Sequence, residues 1–287
     1  MGSGKLFVCA TPIGNLEDVT LRVLRVLGEV DLIAAEDTRI TRKLLNKYEI
    51  KTRLESYHEH NERKKGKELI ERLENGLDLA LVSDAGMPGL SDPGFRLIKS
   101  CIDCGIDIEV LPGPFAAITA LVASGLPTDS FVFQGFLPRK SSQRRKILSG
   151  LASEERTLVF YESCHRISGF LKDASEVLGD RQAVLGRELT KKFEEIIRGD
   201  IGRLLTLSEQ KELKGEIVAI IAGAPKHQVF LNPDGIRKLL EALVIKGFSK
   251  KDATKHLSQE TGIPKRAIYE IAQTLSAKKP TRKSKPC

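Results

Sequence analysis

The sequence lacks the features that would place the protein in a membrane or outside the cell. Its longer apolar runs, such as 216–224, are too short to span a bilayer, and no basic segment followed by an apolar stretch opens the chain. The five cysteines are scattered and odd in number, which argues against a disulfide framework. These absences predict a cytoplasmic protein with no membrane partner.

Two common nucleotide motifs and a convincing metal motif are also missing. No G-x-G-x-x-G follows the first predicted strand, and no G-x-x-x-x-G-K-[ST] occurs in the chain. A standard dinucleotide site and a phosphate-cradling loop are therefore not expected. Cys101 and Cys104 have the spacing of a metal or redox pair, but no second pair or histidine follows nearby. We expect no metal.

Positive charge is distributed unevenly along the chain. The net charge is +8, and the segment from His227 to the C-terminus holds 13 Lys and Arg against 5 Asp and Glu, so the preceding residues are balanced. A basic appendage on a neutral body is typical of proteins that bind a polyanion, most often nucleic acid. A solvated tail that only aids solubility is the alternative.

Short apolar runs alternate with helical patterns, which predicts a parallel sheet with helices on both faces. The first set of predicted strands is 6–10, 32–35, 79–83 and 108–111, with helices at 19–30, 38–47, 61–75 and 94–104. After a hinge at 123–127, the second set has strands at 131–135, 157–161, 183–187 and 216–222 and helices at 148–152 and 167–178. The predicted units are two α/β lobes, 1–124 and 125–226, and a basic helical domain, 227–287.

Three loops that follow predicted strands are rich in glycine and proline, namely 11–15, 83–94 and 111–117. In open α/β sheets, ligands bind where such loops converge at the carboxyl ends of the strands. Backbone amides, one carboxylate and apolar walls would suit a zwitterion that bears a nucleoside. Each loop alone is also explained as a turn, but the three together predict a pocket.

These loops resemble those of the tetrapyrrole methylase superfamily, class III methyltransferases that hold S-adenosylmethionine between two lobes. Within it, the chain resembles the ribosomal RNA small subunit methyltransferase I family. The matching stretches are Ala10–Leu16, Ala35–Arg39, Ser56–Glu62, Ser83–Gly86, Ser91–Gly94, Tyr161–Ser163, His165–Ile167 and Gly186–Lys191. The chain departs from the family pattern at Glu17, Met87, Gly89, Phe115 and Cys164.

The resemblance implies a fold, a reaction and partners. The fold is a two-lobed α/β methyltransferase with a small C-terminal helical domain. The reaction is 2′-O-methylation of a cytidine in the decoding region of 16S ribosomal RNA, within the assembled 30S subunit, by a homodimer. The residues expected to contact the cofactor are Pro12, Gly14, Asp84, Gly86, Met87, Pro114, Phe115, Ala116, Tyr161 and Arg187.

A 2′-hydroxyl is a poor nucleophile, so its methylation needs a base or a nearby cation. Glu36, Asp37 and Arg39 follow the second predicted strand and are the candidate catalytic residues. We expect Glu36 or Asp37 to orient or deprotonate the hydroxyl and Arg39 to contact a phosphate. The alternative is that these residues only cap the following helix, with Asp37 or Thr38 at the N-cap.

Two regions are expected to bind RNA. Residues 139–146 place five positive side chains on a predicted loop, and the helical tail offers Ser249 as an N-cap and Pro264 in a first helical turn. Apolar Ala253, Leu257, Ile263, Ala267, Ile268 and Ile271 would pack that tail together. The full set of predicted RNA contacts is His58, Asn61, Arg139, Lys140, Arg144, Arg145, Lys146, Arg166 and Lys191.

Two other functions fit parts of the sequence. A methyltransferase of a small tetrapyrrole or of a modified protein side chain would share the fold, but it would not need the basic tail. A non-catalytic RNA-binding assembly factor would need the basic tail, but not the three loops. The methyltransferase of ribosomal RNA uses both features.

Overall fold

A computed structural model describes residues 2–211, 213–225, 233–261, 263 and 265–274. The chain divides into two compact units, Met1–Ala224 and Pro225–Cys287. The larger unit contains two five-stranded sheets, and the smaller one contains three described helices. None of the described helices is both long and apolar enough to cross a bilayer. The division of the larger unit into lobes 1–124 and 125–226 stays a prediction.

The first sheet is parallel throughout, in the order β3-β2-β4-β1-β5. Its strands are β1 (Leu6–Cys9), β2 (Leu32–Ala35), β3 (Leu54–Ser56), β4 (Leu79–Val82) and β5 (Ile108–Leu111). Its helices are α1 (Leu21–Glu29), α2 (Thr38–Lys47), α3 (Glu62–Glu74), α4 (Phe95–Asp103) and α5 (Ala116–Ser124). The predicted parallel sheet is confirmed. Strand β3 was not predicted, because this edge strand has only one apolar residue.

Helices cover both faces of this sheet, as predicted. Successive side chains of a strand point to opposite faces, so Ile33 of β2 packs with the apolar stripe of α1 while its neighbour Leu32 packs with α3 and α4. Thr20 caps α1, because its Oγ1 accepts a hydrogen bond from Val23 N at 3.1 Å. Both faces of the sheet are therefore covered. A ligand would bind at the loops that follow the carboxyl ends of its strands.

The second sheet is mostly antiparallel, in the order β6-β7-β10-β8-β9, with β6 and β7 its one parallel pair among the described strands. Its strands are β6 (Phe131–Phe136), β7 (Thr157–Ser163), β8 (Gln182–Arg187), β9 (Glu195–Asp200) and β10 (Glu216–Ile221). Its helices are α6 (Ser141–Gly150), α7 (Ile167–Leu178) and α8 (Ile201–Gln210). Strand β9 was not predicted, since charged residues flank its two isoleucines.

The basic segment 139–146 was predicted as a loop, and this was wrong. Residues from Ser141 onward form α6, which begins earlier than the predicted helix at 148–152. Arg144 and Leu148 are buried one turn apart on the same side of this helix. The many positive residues made the segment resemble a loop, although it forms an amphipathic helix with one arginine on its buried face.

The smaller unit consists of α9 (Pro233–Ile245), α10 (Lys250–Thr261) and α11 (Lys265–Thr274). Its core joins all three helices, through Ile236 and Leu240 as well as Ala253, Leu257 and Ile268. The Ser249 cap is confirmed, because Ser249 Oγ accepts a hydrogen bond from Asp252 N at 3.1 Å. The prediction for Ala267 was wrong, because it is exposed while Ala272 is buried. Pro264 and the tail 277–287 lie outside the described residues.

Candidate active site

A cavity of about 360 Å³ lies in the larger unit, where loops of the first sheet meet strand ends of the second. Loops after β1, β2, β4 and β5 contribute to its wall, together with residues of β6, β7, β8 and β10. Its volume falls in the range of small-molecule sites, roughly 300–1,000 Å³. A larger and more open groove of about 950 Å³ runs between α3 and α4, and the three predicted loops line no part of it.

The loops after β1 and β4 are joined by backbone hydrogen bonds. Thr11 N donates to Gly86 O at 2.9 Å, and Gly86 N donates to Thr11 O at 3.0 Å. Thr11 Oγ1 also donates to Ser83 O at 3.0 Å. Gly86 has a φ of +80°, a conformation that favours glycine. The two loops therefore form one rigid wall of the cavity.

Three carboxylates of the cavity wall have no salt-bridge partner among the described residues: Glu36, Asp84 and Asp92. Two further acidic residues line the cavity, but Glu162 pairs with Arg166 at 3.1 Å and Glu216 with Lys191 at 3.1 Å. The described lining contains no Lys, Arg or His side chain. The sequence had predicted one carboxylate here, so the cavity is more acidic than expected, and it complements a cation rather than a phosphate.

Asp92 was missing from the predicted site, although it belongs to a motif that carries the resemblance. Burial raises the pKa of Asp92 to about 7, and the charge of Glu36 acts in the same direction. Ser91, next to it, has a φ of +68°, so the turn that presents Asp92 is strained. The structural signal is a carboxyl group that changes its charge near neutral pH inside the cavity.

The three candidate catalytic residues separate in the structure. Glu36 lines the cavity, and its Oε2 accepts a hydrogen bond from Asp84 N at 3.2 Å. Burial raises the pKa of Glu36, while that hydrogen bond opposes the rise. Asp84 Oδ1 in turn accepts a hydrogen bond from Asp37 N at 2.9 Å. Glu36 and Asp84 therefore hold the ends of β2 and β4 in a fixed relation.

Asp37 and Arg39 lie outside the cavity wall. The side chain of Asp37 caps α2 by accepting a hydrogen bond from Arg39 N at 2.8 Å. It also pairs with the Arg39 guanidinium at 2.6 Å, which lowers the pKa of Asp37 to about 2. The structure thus places Asp37 in the capping alternative. The Arg39 side chain is 87% exposed and is free to meet a ligand from solvent.

Most of the predicted cofactor residues line the cavity, but four do not. Phe115 joins an aromatic wall, since its ring lies 5.7 Å from Phe133, which lies 5.1 Å from Tyr161. The departure from the family pattern at Phe115 therefore adds an apolar surface. The predicted residues in the lining are Asp84, Gly86, Met87, Phe115, Ala116 and Tyr161. Those outside it are Pro12, Gly14, Pro114 and Arg187.

Two of the four outlying residues have another structural purpose. A Cβ on Gly14 would lie 2.7 Å from Leu189 O and 2.6 Å from Lys191 Cγ, so glycine allows the first loop to pack against the loop after β8. Arg187 pairs with Glu195 at 2.7 Å, and its Nη1 donates to Lys214 O at 3.0 Å. The sequence indicated the right loops, but not which residues face the ligand.

The predicted RNA contacts also differ in availability. Arg144 is buried, and its Nε donates to Asp173 Oδ2 at 2.7 Å, so this guanidinium cannot reach a phosphate. Asn61 Oδ1 accepts a hydrogen bond from His58 N at 2.9 Å and shapes the turn before α3. Arg166 Nη2 donates to Leu137 O at 2.6 Å. These three side chains are used within the fold.

The other predicted contacts remain accessible. Arg139, Lys140 and Lys146 are exposed, and Arg145 is exposed but pairs with Glu176 at 2.6 Å. Lys191 is partly exposed between Glu188 and Glu216. His58 is half-buried. No group of three or more potential metal ligands occurs among the described residues.

Comparisons with known proteins identify the family of this chain. The profile of the Tetrapyrrole (Corrin/Porphyrin) Methylases matches residues 5–205. A protein of Halalkalibacterium halodurans named ribosomal RNA small subunit methyltransferase I is 47% identical over 93% of this chain and 94% of its own. A protein of the same name from Escherichia coli O157:H7 is 46% identical over 94% of each chain. The chain therefore belongs to the tetrapyrrole methylase family and, within it, to the ribosomal RNA small subunit methyltransferase I family.

Solved structures show the same fold at low identity. Diphthine synthase aligns with a TM-score of 0.61 at 15% identity, over 77% of this chain and 90% of that one. The uroporphyrin-III C-methyl transferase of Thermus thermophilus, in complex with S-adenyl homocysteine, aligns with a TM-score of 0.56 at 17% identity, over 76% and 97%. The fold class predicted from the sequence is confirmed.

Proposed function

We propose that the protein transfers the methyl group of S-adenosylmethionine to the 2′-hydroxyl of a cytidine in the decoding region of 16S ribosomal RNA. The observation that carries this proposal is the acidic cavity at the loops that follow the strands of the first sheet. The relatives' names point to the RNA of the small ribosomal subunit as the substrate. The proposal includes the assembled 30S subunit as substrate, a homodimer as the active form and a cytoplasmic location.

The cavity residues fit S-adenosylmethionine. This donor carries a positive sulfonium and a positive ammonium group, and when bound it supplies an activated methyl group. Glu36, Asp84 and Asp92 offer negative charge that no described cation neutralises. The aromatic wall of Phe115 and Tyr161 offers an apolar surface for a nucleoside. Because the lining holds no cation, the RNA phosphates would stay outside.

Methylation requires the hydroxyl to lose its proton as its oxygen gains the methyl group. Of the two carboxylates considered from the sequence, Glu36 is the better placed, because it lines the cavity while Asp37 caps α2. We assign Glu36 to orient the hydroxyl. Asp92 is assigned to receive its proton, because a carboxyl group with a pKa of about 7 exchanges a proton with little cost at neutral pH. Arg39, exposed in the first turn of α2, is assigned to a phosphate.

The experiment is methylation of undermodified 30S subunits with labelled S-adenosylmethionine, followed by location of the label in the RNA. Label on the ribose 2′-oxygen of a decoding-region cytidine is the expected result. Cofactor binding without RNA label would contradict the proposal in favour of a small-molecule or protein acceptor. Absence of cofactor binding would favour a non-catalytic RNA-binding role. Sedimentation of the active protein tests the homodimer.

A further inference from the structure

The exposed side of α2 is strongly basic. Arg39, Arg42, Lys43 and Lys47 are all exposed, and α2 itself contains no Asp or Glu. Arg42, Lys43 and Lys47 have no ion-pair partner among the described residues, whereas Arg39 pairs only with the capping carboxylate next to it. Unpaired cations on one helix face form a surface of positive potential.

Three of these residues form a regular stripe. Arg39, Lys43 and Lys47 follow one another at intervals of four residues, so they lie along one side of the helix at steps of roughly 6 Å. This step is close to the spacing of successive phosphates along an RNA strand. The opposite side of α2 is anchored, because Thr41, Leu44 and Leu45 are buried. The stripe is therefore carried by a helix that its buried side holds in place.

The stripe leads to the cavity. Lys43 and Ile40 line a shallow depression of about 470 Å³ whose wall also contains Ser83, Asp84 and Ala85. Asp84 and Ala85 line the acidic cavity as well, so the depression adjoins it. Lys191 also lines this depression. An RNA strand that lies along the cations of α2 would thus reach the edge of the cavity.

We propose that the α2 stripe binds the phosphates next to the methylated nucleotide and so presents its ribose to the cavity. This inference rests on the proposed RNA substrate. Charge complementarity selects the occupant, because the cavity beside the stripe rejects phosphate and the stripe attracts it. The exposed cations at 139–146 then add at most long-range attraction.

Two variants that remove the same number of exposed cations test this assignment. The first, R42A/K43A/K47A, removes two cations of the stripe and Arg42 beside it, and it leaves the Arg39–Asp37 pair at the N-cap intact. The matched control is R139A/K140A/K146A, in α6 and just before it. Binding of the full-length protein to undermodified 30S subunits is measured at several KCl concentrations. The α2 variant is expected to bind at least tenfold more weakly, and the slope of log K against log salt should fall by about one per lost contact. The control variant is expected to keep most of its affinity.

Unchanged affinity of the α2 variant overturns the inference. Equal loss in both variants means a general charge effect and overturns the inference, as does loss in the control alone. Unchanged melting temperature and S-adenosylmethionine affinity would show that the α2 variant folds and retains its cavity. Replacement by R42K/K43R/K47R is expected to restore affinity. If wild-type protein binds the cofactor but places no label in RNA, the proposed function fails, and this outcome is separate from a failure of the stripe.

Discussion

The cavity and the outer face of α2 are neighbours with opposite charge. Glu36 lines the cavity, and two residues further along the chain α2 begins, with an exposed side that carries only positive charge. A single acidic or basic region would attract only one of two oppositely charged substrates. The negative charge of the cavity and the positive charge of α2 are only a few residues apart in the chain. One strand–helix junction can therefore attract a cationic methyl donor into the cavity and a polyanionic acceptor to the surface beside it.

The largest expected effect comes from the residue at this junction. Replacing Glu36 by Gln keeps its size and removes the charge that orients the hydroxyl, so methyl transfer to 30S subunits should fall by roughly 10²-fold. Single-turnover rates and calorimetric cofactor binding measure the two contributions separately. Glu29→Gln, at an exposed position of α1, is the control for loss of a carboxylate. A Glu36→Gln variant that keeps the wild-type rate would remove Glu36 from the mechanism.

Arg144 differs from the exposed cations of the protein because it is buried. It therefore tests whether every cation of the basic segment 139–146 is available to RNA. Its pairing with Asp173 is buried, so Arg144→Met should cost about 3–5 kcal/mol of unfolding free energy. Arg145→Met removes an exposed pair and should cost about 0–1 kcal/mol. Denaturant unfolding measures both. Equal costs would show that burial does not distinguish the two arginines.

A cation placed inside the cavity would directly reduce the difference in charge between the cavity and the outer face of α2. Met87→Lys should weaken S-adenosylmethionine binding by about tenfold, which is about 1.4 kcal/mol. S-adenosylhomocysteine should lose less, because its sulfur is neutral. Calorimetric titration of both ligands gives the comparison, with Met87→Gln as the uncharged control. A similar loss for the two ligands would mean that steric effects, not charge, govern binding.

A further prediction concerns the pH dependence that Asp92 confers. The pKa of Asp92 is raised to about 7 in the fold, so the folded state binds this proton more tightly than the unfolded state. Asp92 therefore lowers stability as pH rises from about 4 to about 7, and Asp92→Asn should raise the melting temperature at pH 8 but not at pH 4. In wild-type protein the single-turnover rate should rise through pH 7. A rise of the same shape in Asp92→Asn would exclude Asp92 as the proton acceptor.

The sequence predicted the first sheet better than the second, for a physical reason. The predicted helix 38–47 coincides with α2 because Asp37 is a strong N-cap and the apolar spacing is regular. Strand β9 was missed because flanking charges obscure its short apolar centre. Its place at the edge of the sheet, paired only with β8 among the described strands, is fixed by tertiary contacts that no local pattern records.

The site shows a similar division. The loops that meet at the cavity could be located, since glycine, proline and acidic residues follow buried strands. Which side chain faces inward depends on contacts between distant loops, as with Gly14 against Lys191 and Leu189. The burial of Arg144 and the neighbours that raise the pKa of Asp92 are likewise properties of the folded chain.

The chain of hydrogen bonds from Glu36 to Asp84 to Asp37 has a thermodynamic consequence. Asp84 N donates to Glu36, and Asp37 N at the start of α2 donates to Asp84, so the first turn of α2 and the cavity wall cannot move independently. A ligand that shifts the first turn of α2 would therefore also shift Asp84 and Glu36. Linkage then requires reciprocity: whatever factor RNA applies to the affinity for the methyl donor, the donor applies to the affinity for RNA.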